Sequence, residues 1–178
     1  MSLTFSRRSF LKYTAVAAVA VAGSSMFTGC SKDDNKATRT EYGKITVLQA
    51  QSTLSGATYN ASDRTLTFDF SVKCGRGNPM RVEKSCFSVE ITSTDDSGNE
   101  TTKKYAPDFG NLRISEDLYN AQLKKDKTAE GTVTISGVSS LGEKDVVTFL
   151  YQPDAYPYTE FGATWKLTGE YILSNMAK

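Results

Sequence analysis

The 178-residue chain contains no histidine. That removes the commonest general base and the commonest metal ligand, and with them any Ser-His-Asp arrangement. Cysteine is scarce at three residues, too few without histidine for a metal site. No glycine-rich phosphate loop follows a strand and opens a helix. Charge of one sign is missing too: 21 bases oppose 20 acids, so no long-range field draws in nucleic acid. Nor is there a membrane-spanning run. Spanning needs roughly 20 predominantly apolar residues, whereas the stretch from Tyr13 to Phe27 is shorter and is broken by Gly23, Ser24 and Ser25. No cofactor is implied. These absences leave a class of exported, non-catalytic domains open.

The N-terminus carries the clearest signal. Arg7 and Arg8 head a segment whose apolar centre, Ala15 to Ala22, is built only of alanine and valine, and small residues follow it up to Cys30. Charged head, modest apolar middle and small-residue end are the layout of a secretory signal peptide. Ser6-Arg7-Arg8-Ser9-Phe10-Leu11-Lys12 resembles the twin-arginine signal, which implies export of an already folded chain, with Arg7, Arg8, Phe10, Leu11 and Lys12 as targeting residues. Phe27-Thr28-Gly29-Cys30 resembles a lipobox, with phenylalanine where leucine is usual. It implies cleavage before Cys30 and lipidation of that cysteine. One acyl chain holds a protein only marginally, while the two of a diacylglycerol group hold it stably. The expected location is the extracytoplasmic side of the cell membrane, anchored by lipid.

Residues 1–29 contain three of the 21 bases and none of the 20 acids, so the remaining chain has a net charge of −2. That leaves no case for a nucleic-acid partner. Ser31 to Thr40 has one small apolar residue, Ala37, and reads as a flexible tether, with the lipidated tether running over 30–41. From 42 to 174 the apolar pattern has a period of two. Leu66, Phe68, Phe70 and Val72 alternate with polar residues, as do Phe87, Val89 and Ile91, then Val133 and Ile135, then Trp165 to Leu173. Ile45 and Val47 start the first strand, and Val146 to Tyr151 is apolar on both faces, as a covered central strand requires. Ser115 to Leu123 is the one segment expected to be a short helix, and 175–178 forms a tail. The expected fold is all-β: an antiparallel β-sandwich of about seven strands.

Leu123 to Tyr151, with Ala129-Glu130-Gly131-Thr132-Val133-Thr134-Ile135 and then Phe149-Leu150-Tyr151-Gln152-Pro153, resembles the small immunoglobulin-like domains of unknown function in Gram-positive lipoproteins. Those domains are similar to a secreted mycobacterial immunoprotective antigen. The resemblance implies an extracytoplasmic immunoglobulin-like sandwich and carries over no catalytic residue.

Candidate sites follow from the body. Cys74 and Cys86 form an even pair outside the cytoplasm, which invites a disulfide. Strand parity puts Cys74 inward and Cys86 outward, which leaves two separate thiols as the alternative. Residues 152–161 carry Tyr156, Tyr158 and Phe161 with two prolines, directly after Tyr151. Such a loop either binds a partner through its rings or covers the end of the core. Asp95, Asp96, Asn99 and Glu100 read as turn chemistry or as oxygen ligands for calcium. The expected function is a lipid-anchored binding or interaction module, not an enzyme, whose partner is an envelope protein or a glycan. An accessory subunit of an exported redox or transport complex is the alternative, and a carboxylate-based glycan hydrolase ranks last.

Overall fold

The computed structural model describes residues 36–153 and 162–176. Twelve strands and one helix occur among them: β1 (Lys36–Arg39), β2 (Gly43–Val47), β3 (Ala50–Asn60), β4 (Thr65–Cys74), β5 (Met80–Val82), β6 (Phe87–Thr94), β7 (Glu100–Tyr105), β8 (Leu112–Ile114), β9 (Asn120–Leu123), β10 (Thr128–Ser136), β11 (Val146–Tyr151), β12 (Gly162–Thr168) and α1 (Gly169–Ser174). A front sheet runs β1-β12-β11-β6-β7 and a back sheet β2-β3-β4-β10-β8, with β5 and β9 forming a two-stranded ladder. The fold is an all-β sandwich.

Alternation produces the core directly. In β4, Leu66, Phe68, Phe70, Val72 and Cys74 are buried while the residues between them face outward. Across the sandwich, Phe70 meets Phe87, Phe149, Tyr151 and Trp165 at ring-centroid separations of 5.0–6.0 Å, in tilted or edge-on geometry. Each such ring removed from water stabilises the fold by roughly 1.5–3 kcal/mol. β11 is central in the front sheet, between β12 and β6. Its outward face is only partly covered, with Val146 37% exposed, rather than buried on both sides.

Several expectations need correction. The expected tether ends early, because Lys36–Arg39 are β1 and pair in parallel with Gly162–Trp165. Four residues give too little length for alternation to show, and Ala37 alone of them packs against the core. The strand expected to reach Leu173 stops at Thr168, whose Oγ1 accepts from the Tyr171 N–H at 3.1 Å and so starts α1. A Cβ on Gly169 would overlap the Gly142 carbonyl, so only glycine fits that turn from strand to helix. Asn175, expected in the tail, closes α1 by donating through Nδ2 to the Tyr171 carbonyl at 2.8 Å. Ser115 to Leu123 is not a helix. Ser115 instead bridges to β10, accepting from the Thr132 N–H at 2.9 Å, and the following residues form β9 against β5.

The longest strand, β3, lies outside the period-two expectation for a physical reason. A β-bulge between Leu54 and Gly56 inserts Ser55, so the buried set Ala50, Ser52, Leu54 changes parity to Ala57. Its hairpin with β2 turns through Leu48 and Gln49, both at positive φ (50° and 60°), without the Asn-Gly that announces such a turn.

Candidate functional site

Register fixes what lies at each end of the sandwich. In the front sheet Lys36 stands beside Gly162, Ala163 beside Tyr151, and Tyr151 beside Phe87. The start of the first described strand, both flanks of the 154–161 segment and the turn before β6 therefore share one end. At the other end β6 and β7 meet in the hairpin Asp95–Asn99, where Asp95 Oδ1 accepts from the N–H groups of Ser97 and Asn99 and Oδ2 accepts from Asn99 Nδ2. Those bonds, the Asn99 side chain first, hold the Asp95 carboxyl below its ordinary range. Of the two readings of this hairpin, its carboxylate does turn work.

At the first end a groove of ≈ 830 Å³ opens between three chain segments. Glu83, Lys84 and Ser85 form one wall, Pro107 another, and Ile114, Ser115, Glu116 and Tyr119 the third. The pairing of Val82 with Asn120 brings the first and third together, and the 3-10 turn at Lys84–Cys86 leads directly into β6. Tyr119 is 54% exposed, and Phe109, two residues beyond Pro107, is 64% exposed. These are the two most exposed large apolar side chains among the described residues. A smaller recess of ≈ 300 Å³ on the outer face of the back sheet is lined by Ser55, Asp69, Ser71, Glu130 and Thr132.

Beneath the groove end lies a buried cluster of polar atoms. Tyr151 is fully buried and its hydroxyl has no hydrogen-bond partner among the described residues. Burial, and then the neighbouring Cys86, push its ionisation well above the ordinary value, with Cys74 adding to the rise and Arg76 opposing it. Cys74 closes β4 and Cys86 lies in the turn before β6, and both are buried thiols, with no disulfide between them. The Cys74 thiol lies 3.6 Å from the Arg76 carbonyl and the Cys86 thiol 3.7 Å from that of Arg81. The outward placement expected for Cys86 does not hold. It sits in the 3-10 turn rather than on β6, so strand parity does not extend to it and it is buried.

Tyr151, expected among the binding rings, is instead a core residue packed on Phe70 and Phe87. Tyr156, Tyr158 and Phe161 lie outside the described residues, as do Arg7, Arg8, Phe10, Leu11, Lys12 and Cys30. The groove residues Glu83, Pro107, Glu116 and Tyr119 belong to no expected site. Their one sequence signal is the isolated aromatics Phe109 and Tyr119 standing in polar surroundings.

Residues 4–24 match the signal sequence of the twin-arginine translocation pathway. The chain is thus an exported protein, directed across the cytoplasmic membrane, whose body is an all-β sandwich. No curated protein matches it.

Proposed function

We propose that this protein is a lipid-anchored, extracytoplasmic binding or interaction module of immunoglobulin-like type that performs no chemistry. The observation that carries the reading is the coupling of an export signal at residues 4–24 to a sandwich with a groove of ≈ 830 Å³ lined by apolar, hydroxyl and charged groups. The lipobox-like Thr28-Gly29-Cys30 directly after that signal supports retention at the membrane. In that groove Glu83, Ser85 and Glu116 supply hydrogen-bond acceptors for an envelope protein or a glycan.

The alternative, an accessory subunit of an exported redox or transport complex, draws support from the same signal, because that route carries folded proteins. Purification of the mature protein from membranes in mild detergent separates the two. Sub-stoichiometric glycan or a single envelope protein supports the binding module, whereas a stoichiometric complex of membrane subunits supports the accessory role. Turnover of a cell-wall glycan by the pure protein would overturn both.

A further inference from the structure

We infer that the sandwich rests on the bilayer surface through the end that carries Lys36 and the Tyr119 groove, with the Asp95–Asn99 hairpin pointing away. This deepens the anchored reading and rests on Cys30 as the lipidated residue. The first argument is chain length. β1 begins at Lys36, six residues after Cys30, and six residues at full extension reach about 20–22 Å. The β6 strand, Phe87–Thr94, is itself about 23 Å long at 3.3 Å per residue. Bringing the hairpin end to the membrane would require the anchor to run back along the whole front sheet, which is longer than the available chain can reach. The Lys36 end is within easy reach.

The second argument is the difference between the two ends. The Lys36 end presents the exposed ring of Tyr119 beside Pro107 and Ile114. The far end has the exposed hairpin Asp95-Asp96-Ser97-Gly98-Asn99-Glu100, without an aromatic residue, and beside it the aliphatic Val146 and Leu173, each 37% exposed against 54% for Tyr119. Tyrosine favours the headgroup level of a bilayer, where its ring is in the apolar boundary and its hydroxyl in water. The groove lining has two carboxylates, Glu83 and Glu116, against one ammonium, Lys84. That balance gives the groove itself no attraction to an anionic surface. The anchor supplies the residence at the membrane and the aromatic end sets the orientation, so neither contact needs to be strong alone.

The test uses mature lipidated protein in phosphatidylcholine vesicles, with a tryptophan reporter placed by Tyr119→Trp or by Ser97→Trp, two exposed positions. Trp165 is fully buried and provides the background common to both variants. With brominated acyl chains, Tyr119→Trp emission should fall about twofold while Ser97→Trp emission stays unchanged. Equal quenching of both, quenching of Ser97→Trp alone, or quenching of neither overturns the proposed orientation. A mass spectrum of the same preparation reports separately on the anchor. If Cys30 carries no lipid the anchored reading fails, and two acyl chains coupled chemically to Cys30 then let the vesicle experiment decide the orientation by itself. The burial of Cys74 and Cys86 keeps that coupling selective.

Discussion

The indole of Trp165, on β12 of the front sheet, donates through Nε1 to the carbonyl of Gly43, the first residue of β2 in the back sheet, at 3.1 Å. One fully buried side chain thus packs on Phe149 and Phe70 and also joins the two sheets by a hydrogen bond. Trp165→Phe keeps an aromatic ring and loses the donor, leaving the Gly43 carbonyl without it. The expected loss is about 1–3 kcal/mol for the orphaned acceptor, plus a contribution from the smaller ring. Urea unfolding of the variant beside the wild type measures it.

The β2–β3 turn is stabilised from outside. The Gly75 N–H donates to the Gln49 carbonyl at 2.8 Å, and a Cβ at position 75 would lie 2.6 Å from that oxygen. Gly75→Ala should therefore destabilise the fold, because the obstacle is backbone and cannot swing aside. Gln49→Gly should do the opposite, relieving a left-handed backbone by about 1 kcal/mol. Melting temperatures of the two variants should move in opposite directions.

Alkaline pH should weaken the sandwich through its tyrosines. Tyr42 packs on Tyr171 at 5.0 Å, and burial first, then Tyr171, push its ionisation from 10.0 to about 12, against the lowering effect of the Ala57 N–H. Because the folded state holds this proton more tightly, its contribution is complete below pH 10 and is lost as pH rises towards 12. Tyr151, shifted in the same direction, adds to the fall. Tyr42→Phe should make the decline in melting temperature above pH 10 shallower; an unchanged slope would remove Tyr42 from the account.

Thiol reactivity reports on Cys74 and Cys86 together. Both are buried thiols, so the folded protein should react with neither under a colorimetric thiol reagent, and in denaturant both should react at once. No reaction in denaturant before reduction would show that the pair is oxidised in the cell.

Contiguous features were legible in the sequence and assembled ones were not. The twin-arginine segment is read residue by residue, and the inward sets on β4, β6 and β10 follow from strict alternation. β3 escaped because Ser55 shifts its parity midway. β1, β5, β8 and β9 have three or four residues each, too few for a period to show. α1 was hidden because Tyr171 and Leu173 happen to continue the alternation of β12, while the switch depends on the Thr168 cap and on space only glycine can occupy at 169. The groove was the least legible part. Glu83, Pro107 and Tyr119 meet only through the β5–β9 ladder and the turn into β6, and no motif spans the three.

The intact mass of the mature protein extracted from membranes tests the central claim most directly. The account predicts a chain beginning at Cys30 with a diacylglyceryl group on its sulfur, released into detergent and not into buffer. An unmodified Cys30, or a chain that begins elsewhere, would contradict it.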